Sequence, residues 1–414
     1  MEIKNIQGYE ILDSRGNPTT ACLVELLDGT QAKAYVPSGA STGSHEAVEL
    51  RDVDENRYNG MGVLIAVNNI NSIIKPALIS KNAYDQENID QILIDLDGTH
   101  NKSKLGSNAI LAVSLAVARA SAISQGKELY QYIQDIFKPN SNLSKQFPQI
   151  GFNVLNGGKH ADSGLDVQEY MIMPLKTNID ENIRIGSEIY HTLKKILAKN
   201  GQIVSVGDEG GFAPRLDNNE AGLDLLVKAI QEAGYVPGID CSLALDIAAT
   251  EFFDSTLQKY TFDKQIYSGI ELSAIYQNWL NKYPLVSIED PFSEDDYVSW
   301  SNFQKLRGNS LRIVGDDLLV TNTDRIKEAI EKKLCNSVLI KPNQIGTLTE
   351  TLKAINLAHQ NNMTTMISHR SGDTIDTFIS DLAVGVSARY IKSGAPARAE
   401  RVSKYNRLLE IYYF

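Results

Sequence analysis

The chain has 414 residues, of which 43% are hydrophobic and 22% charged, and its formal net charge is −11. It is too long for one small domain and suits a barrel with one further domain. The negative charge argues against a nucleic-acid partner, because phosphate binding needs basic patches and the sequence has no obvious one. The three cysteines, Cys22, Cys241 and Cys335, have no paired spacing, which argues against a disulfide framework or a zinc site and favours a reducing cytoplasm.

The sequence predicts neither export nor a membrane partner. The first ten residues contain acids and amides where a signal peptide would have a basic stretch and an apolar core. The longest apolar region, 109–122, is interrupted by Ser114 and Arg119 and is too short to cross a bilayer. We therefore expect a buried helix there.

The first third of the chain predicts an α+β domain over residues 1–138. Apolar and polar residues alternate over 3–36, with turn residues at 15–18 and 28–29, which predicts a small antiparallel meander. A helical period then follows in four segments: 62–79, 85–96, 107–125 and 128–137. Residues 138–148 are polar with a proline near each end, which is typical of a linker.

Between the meander and these helices lies a segment, 38–46, that is rich in glycine and hydroxyl side chains. Such a segment is either an ordinary linker or a mobile lid that supplies a metal ligand, here from Ser41, when it closes.

The rest of the chain, 139–414, predicts a closed barrel of parallel strands. Short buried runs in 243–394 each end in a charged residue and a turn, and amphipathic helical segments lie between them at intervals of roughly 25 residues. In such α/β barrels the carboxyl ends of the strands carry the active site. The charged residues at the predicted strand ends are Asp246, Glu289, Asp316, Lys341, His369, Arg370 and Lys392.

The three acids of this set indicate a hard metal ion. Asp246, Glu289 and Asp316 offer only oxygen ligands, and three carboxylates that leave room for water and substrate favour Mg²⁺ over a fully caged Ca²⁺. Taken singly, each acid could equally be a helix cap or a salt-bridged strand end.

Lys341 follows a buried run and precedes a proline, so its ammonium group is costly there without a function. Near divalent cations its pKa should fall, which would make it a base near neutral pH. The structural alternative is an ion pair with a neighbouring carboxylate. Arg370 and Ser371 suit an anion such as phosphate, and Lys392 adds positive charge. The set predicts abstraction of a proton next to a carboxylate, through an enolate-like dianion.

Residues 151–174 predict two strands around a loop that contains His160, and a helix is expected near 180–199. Glu209 lies between the next buried run and two glycines. An acid in this position is either a simple turn former or a functional group.

Many segments of the chain resemble the enolase family, the phosphopyruvate hydratases of glycolysis, and specifically its bacterial type. The resemblance extends along nearly the whole length, and the matching segments include LDSRGNPT, PSGASTGSHEA, NGGKHAD, VGDEGGFAP, LALDIAATEF, SIEDP, VGDDLLVTN, LIKPNQIG, SHRSGDT and IKSGAPARAER. The resemblance implies an enolase-type variant of the TIM barrel, which begins with a ββαα unit and includes one antiparallel strand. Spacing alone predicts a regular barrel instead.

The same resemblance implies a lyase that interconverts 2-phosphoglycerate and phosphoenolpyruvate by loss of water. It assigns Lys341 as the base at C2, Glu209 as the acid that protonates the departing C3 hydroxyl, and Glu169 as its assistant. Substrate contacts are implied for His160, Gln168, His369, Arg370, Ser371 and Lys392.

The resemblance further implies two Mg²⁺ ions per active site. Asp246, Glu289 and Asp316 would hold the first, and the second would arrive with substrate and bind Ser41. A cytoplasmic homodimer or octamer is expected, whereas secondary roles at the cell surface or in RNA turnover do not follow from the sequence.

Two other classes of function compete with this interpretation. A racemase or cycloisomerase of the wider superfamily also forms an enolate on Mg²⁺, but Glu209 and the pair Arg370 and Ser371 argue against it. A non-catalytic scaffold would be expected to lose its charged strand ends, and here they are intact.

Overall fold

The computed structural model describes residues 1–39, 45–137, 146–161 and 163–414. Ser41 and most of the expected linker lie outside these residues. The domain boundary at 138/139 also lies there and stays a prediction.

The chain begins with a three-stranded antiparallel sheet in the order β1-β2-β3. Its strands are β1 (Ile3–Leu12), β2 (Pro18–Leu26) and β3 (Gln31–Tyr35). The Asp13 carboxylate closes the first turn by accepting from the backbone N–H groups of Arg15 and Asn17. The predicted meander is confirmed.

The helices of the first domain lie close to their predicted positions. They are α1 (Leu64–Asn69), α2 (Lys75–Leu78), α3 (Gln86–Asp97), α4 (Ser107–Ser124) and α5 (Leu129–Phe137), with a π-helical turn, Ile70–Ile74, between the first two. At 18 residues, α4 is long and apolar enough to cross a membrane by length and composition alone, contrary to the judgement from sequence. It is nevertheless mostly buried inside the fold, as expected of a core helix.

Further strands follow in the second domain. They are β4 (Gln149–Asn156), β5 (Glu169–Pro174), β6 (Cys241–Asp246), β7 (Phe253–Asp254), β8 (Lys259–Phe262), β9 (Gln265–Tyr267), β10 (Leu285–Glu289), β11 (Arg312–Gly315), β12 (Ser337–Ile340), β13 (Thr364–Ser368) and β14 (Tyr390–Lys392). Eight of them close into a barrel in the order β10-β11-β12-β13-β14-β4-β5-β6.

One barrel strand, β5, runs against the others. It pairs antiparallel with both β4 and β6, whereas the other neighbouring pairs are parallel. The regular barrel expected from spacing is therefore wrong, and the variant with a leading ββαα unit is confirmed. Two helices, α6 (Ile179–Lys199) and α7 (Glu220–Glu232), complete that unit.

The remaining helices alternate with the parallel strands. They are α8 (Gly269–Lys282), α9 (Tyr297–Arg307), α10 (Thr323–Lys332), α11 (Pro342–Ile345), α12 (Leu348–Gln360), α13 (Phe378–Gly385) and α14 (Ala399–Tyr413). The interval between Asp246 and Glu289 is longer than the others because β7, β8 and β9 form a separate antiparallel sheet there. Sequence reasoning missed this sheet, since its strands are only two to four residues long.

Both faces of the barrel strands are apolar. Inside the barrel, a separate cluster of buried side chains includes Met171, Ala244, Val314, Leu339 and Met366. The opposite faces belong to the larger core that packs against the helices. Burial on both faces explains why the strands are continuous apolar runs, interrupted only where they end.

The first domain packs against the barrel through ion pairs and backbone contacts. Arg119 Nη2 lies 2.7 Å from Asp376 Oδ1, and Lys102 Nζ lies 2.9 Å from Glu350 Oε1. Near the mouth of the barrel, Ser38 exchanges backbone hydrogen bonds with Gly372. The first domain therefore forms part of the rim of the barrel.

Candidate active site

The charged residues predicted at strand ends are brought together at one mouth of the barrel. Asp246, Glu289 and Lys392 are the last residues of β6, β10 and β14. Asp316 follows β11 directly, as Lys341 follows β12. A cleft opens there. Its lining includes the predicted site residues within the described chain except Glu289, which contacts the cleft residue Lys392.

Glu169 reaches this mouth because β5 is reversed. It is the first residue of β5 and pairs in register with Asp246, the last residue of β6. Gln168, one position earlier, donates its backbone N–H to the carbonyl of Asp246 over 3.0 Å. An antiparallel strand thus delivers its amino end to the face that the parallel strands reach with their carboxyl ends.

Lys392 lies among three buried carboxylates. Its Nζ is 2.8 Å from Glu289 Oε2, 3.4 Å from Asp246 Oδ2 and 3.4 Å from Glu169 Oε1. Burial disfavours its charge, but these carboxylates outweigh burial and raise the pKa of Lys392 well above its usual value. The residue is therefore a fixed positive charge.

Lys341 is paired with Asp316 over 2.5 Å, Nζ to Oδ2. Although burial opposes its charged form, the Asp316 carboxylate raises the pKa of Lys341. The ion-pair alternative describes this arrangement, and the fall in the pKa of Lys341 expected near divalent cations stays a prediction. Gln344 donates to the other Asp316 oxygen over 2.9 Å and so holds the carboxylate in place.

Two acids that sequence reasoning missed lie beside Asp316. One carboxylate oxygen each from Asp290, Asp316 and Asp317 lies within 4.8 Å of the others. Burial first, and then the charges of Asp317 and Asp316, raise the pKa of Asp290 well above normal. Burial and the charge of Asp246 do the same to the pKa of Glu289. The lysines therefore compensate the negative charge only in part, so the donor set fits a hard cation.

Glu209 is held on a tight loop between α6 and α7. Its carbonyl accepts from Ala395 N–H over 2.9 Å, and Asn153 Nδ2 donates to its Oε2 over 2.8 Å. The next residue, Gly210, has φ +84°, and a Cβ there would lie 2.9 Å from the carbonyl oxygen of Ala397. Only a glycine at this position allows the loop to place the Glu209 carboxylate in the cleft.

Glu209 and Glu169 are neighbouring buried acids whose pKa values shift in opposite directions. His160 Nδ1 lies 3.7 Å from Glu209 Oε1 and 3.8 Å from Glu169 Oε1. Burial and the charge of Glu209 raise the pKa of Glu169 well above normal. Burial also opposes ionisation of Glu209, but the nearby histidines lower the pKa of Glu209 overall. The two shifts have opposite directions, so of the two carboxyl groups Glu169 retains its proton to the higher pH.

Arg370, the predicted anion contact, is paired with a carboxylate of the first domain. Its Nη1 donates to Glu46 Oε2 over 2.9 Å and to Asn343 Oδ1 over 3.2 Å. Ser371 and His369 line the cleft beside it. Glu46 was not singled out from the sequence, because nothing local indicates that it reaches the barrel.

Two family models match the chain. A model described as "Enolase, N-terminal domain" matches residues 3–133, and one described as "Enolase, C-terminal TIM barrel domain" matches residues 144–412. Neither match concerns the bacterial type, which stays a prediction. The matches, the two-domain order and the barrel with one reversed strand agree, and the chain belongs to the enolase family.

Proposed function

We propose that this chain is a Mg²⁺-dependent hydro-lyase of the enolase family that interconverts 2-phosphoglycerate and phosphoenolpyruvate. The observation that carries the proposal is the content of one cleft. A buried lysine, a pair of neighbouring buried acids and an arginine suited to phosphate all open onto it. These are a base, an acid and an anion site, which β-elimination of water from a phosphorylated hydroxy acid requires.

Lys341 is the proposed base. Its amine takes the proton from C2 of the substrate once Asp316 no longer stabilises its charged form. Lys392 cannot replace it, because three carboxylates hold its charge in place. Lys392 instead stabilises negative charge that develops on the substrate.

Glu209 is the proposed acid, and Glu169 supplies it with a proton. Burial and the charge of Glu209 favour the protonated form of Glu169, and His160 lies within 4 Å of both carboxylates. When that proton is carried by Glu209, it can be given to the C3 hydroxyl as the carbon–oxygen bond breaks. Gln168 and His369 border the same part of the cleft as substrate contacts.

Asp246, Glu289 and Asp316 would hold the tightly bound Mg²⁺. When bound, the metal supplies positive charge to the substrate carboxylate. The uncompensated negative charge of the acids around Glu289 and Asp290 supports a divalent ion. The proposed ligand of the second Mg²⁺, Ser41, lies outside the described residues.

Arg370 and Ser371 would bind the phosphate group of the substrate. The guanidinium offers a planar fork that matches two phosphate oxygens, and the hydroxyl adds one donor. This requirement separates the proposed reaction from the racemases and cycloisomerases of the wider superfamily, which act on substrates without phosphate.

A direct assay tests the proposal. Purified protein with Mg²⁺ is given 2-phosphoglycerate, and the ultraviolet absorbance of the enol product is followed. We expect saturable turnover. Inactivity on this substrate, combined with epimerisation or cycloisomerisation of an acid without phosphate, would overturn the proposal in favour of another superfamily reaction.

The proposed setting is a cytoplasmic homo-oligomer, either a dimer or an octamer. Light scattering on the purified protein distinguishes these states from each other and from a monomer.

A further inference from the structure

Arg401 is a fully buried arginine that belongs to none of the roles assigned above. It lies in the first turn of α14, and its relative exposure is 0%. Its guanidinium group points at the loops that carry the site. Nη1 lies 2.6 Å from His369 Nδ1 and donates to the carbonyl of Arg370 over 2.6 Å. Nη2 donates to the carbonyls of Asp208 over 2.9 Å and Ser371 over 2.6 Å.

The contact with His369 fixes the protonation of its ring. An arginine side chain has donors and no acceptor, and it keeps its proton in proteins. His369 Nδ1, 2.6 Å away, must therefore be the unprotonated nitrogen. In the neutral ring the proton then lies on Nε2.

The protonated nitrogen faces the proposed acid. His369 Nε2 is 3.3 Å from Glu209 Oε2, and both side chains are almost completely buried. Burial, together with the charge of Arg401, lowers the pKa of His369 to about 4, even though Glu209 and Asp373 favour its charged form. The imidazole is therefore neutral across the physiological range, and its Nε2 lies beside Glu209 without forming a hydrogen bond to it in this arrangement.

The guanidinium group of Arg401 also forms hydrogen bonds with both loops of the site. One loop carries Glu209, and the other carries Arg370 and Ser371. Asp208 immediately precedes Glu209, and Arg370 and Ser371 are the proposed phosphate contacts. Holding three carbonyls and a ring nitrogen at once requires a planar group with several N–H donors. A lysine ammonium at this position cannot satisfy the same set.

We propose that Arg401 is a positioning residue that holds His369 as the neutral Nε2–H tautomer and keeps that nitrogen beside Glu209. Naming Glu209 as the acid rests on the proposed function, whereas the tautomer follows from the contacts of this chain alone. Arg401 touches no reacting atom and acts through His369 and the two loops.

The tautomer can be measured without turnover. In protein labelled with ¹⁵N-histidine, the ring nitrogens of His369 are identified by their loss in His369→Asn. We expect an unprotonated Nδ1, a protonated Nε2 and no titration from pH 8 down to about pH 5. A protonated Nδ1, or a ring that titrates near its usual pKa, overturns the proposal even if the enzyme turns over 2-phosphoglycerate normally.

Kinetics test the positioning role with a matched substitution. Arg401→Lys keeps the charge, and Arg407→Lys makes the same change two turns later in α14, where the arginine pairs with Asp381. For Arg401→Lys we expect turnover to fall by about 100-fold, with a much smaller loss in exchange of the C2 proton with solvent. Arg407→Lys should keep both rates. Equal losses of exchange and turnover in Arg401→Lys would contradict a role through His369 and Glu209.

Rescue separates positioning from a folding defect. Arg401→Ala leaves a space that free guanidinium ion can enter, so millimolar guanidinium should restore part of the turnover of this variant and none of that of His369→Ala. Arg401→Ala protein that keeps the wild-type circular dichroism but is not rescued would count against the proposal. If wild-type protein fails to dehydrate 2-phosphoglycerate, the proposed function falls, while the ring-nitrogen spectra still decide the tautomer.

Discussion

The guanidinium of Arg370 and the carboxylate of Glu46 form a buried ion pair that joins the barrel to the first domain. Nη1 lies 2.9 Å from Oε2, and the two side chains are 4% and 6% exposed. The carboxylate occupies part of the planar fork that the proposed phosphate would use. An anion that binds Arg370 through this fork must therefore compete with a carboxylate of the same chain.

Glu46→Gln should strengthen anion binding. The amide keeps the shape of the side chain but removes the negative charge that competes for Arg370. We expect the Kd for inorganic phosphate to fall about tenfold, or about 1.4 kcal/mol, as measured by calorimetry. Glu350→Gln, which changes another carboxylate between the domains, 2.9 Å from Lys102, is the control and should leave the Kd unchanged. An unchanged Kd in Glu46→Gln would show that the two anions do not compete.

Lys341→Ala should abolish turnover and leave the fold intact. The substitution removes the proposed base, and we expect kcat to fall by about 1,000-fold or more, because positioned general bases contribute up to about 10,000-fold. Circular dichroism should match the wild type. Lys102→Ala, another nearly buried lysine paired with a carboxylate, is the control for loss of an ion pair. Near-normal kcat in Lys341→Ala would rule out this lysine as the base.

Glu209→Gln should separate the two halves of the reaction. The base remains, so the C2 proton of 2-phosphoglycerate should still exchange with deuterium in heavy water. The amide cannot give up a proton at neutral pH, so product formation should fall by about 100-fold or more. Mass spectrometry of recovered substrate measures exchange, and product absorbance measures dehydration. If exchange disappears together with dehydration, the division of labour between Lys341 and Glu209 is wrong.

Chelation should remove both activity and part of the stability. The acids around Glu289 repel one another, and a bound divalent ion relieves that repulsion. We expect excess chelator to stop turnover, and Mg²⁺ at about 100 times its Kd to stabilise the folded state by roughly 2.7 kcal/mol, seen as a rise in Tm. In Asp246→Asn the rise should be much smaller. A wild-type Tm that does not change when Mg²⁺ is added would contradict the proposed metal site.

Asp90 should make the interface between the domains sensitive to pH. Its carboxylate accepts from Thr349 N–H over 2.8 Å, and burial raises the pKa of Asp90 from 3.8 to about 6. The folded state therefore binds more protons than the unfolded state between these values. This group's contribution to stability is present below about pH 4 and is lost as the pH rises through about 6.

Asp90→Asn removes this pH-dependent loss. The unfolding free energy of the variant relative to wild type should rise by up to about 3 kcal/mol between pH 4 and pH 7, measured by denaturant titration at each pH. Gln86 can adapt, because its Oε1 has no hydrogen-bond partner among the described residues and can rotate toward the new amide. A constant difference across this range would show that Asp90 does not titrate as described.

The parallel part of the barrel could be predicted from sequence, because a strand that is buried on both faces is a continuous apolar run. Asp246, Glu289 and Lys341 were located correctly at strand ends, since a charge can follow a buried run only where the strand reaches the rim. The direction of β5 carries no such signal. A reversed strand buried on both faces has the same composition as a parallel one, so only resemblance to the family predicted it.

The contacts within the site were less predictable. Asp290 and Asp317 stand beside predicted acids and could have been added to them. Glu46 and Arg401 could not have been predicted as site residues, because each reaches the site from a distant part of the chain. The ion pair between Lys341 and Asp316 was hidden for a related reason. It depends on a 2.5 Å contact, and the order of residues does not reveal that distance.

Because β5 is reversed, the rim of the barrel can accept insertions at a place that an ordinary βα repeat does not offer. In an ordinary βα repeat, the chain leaves the rim after each strand and crosses the outside of the barrel before it returns. The hairpin of β4 and β5 leaves the rim at Asn156 and re-enters it at Glu169, so the described residues between them, 157–161 and 163–168, belong to the side of the proposed active site. Insertions in this hairpin could therefore remodel the entrance for a different substrate while the helices and the far end of the barrel keep their packing.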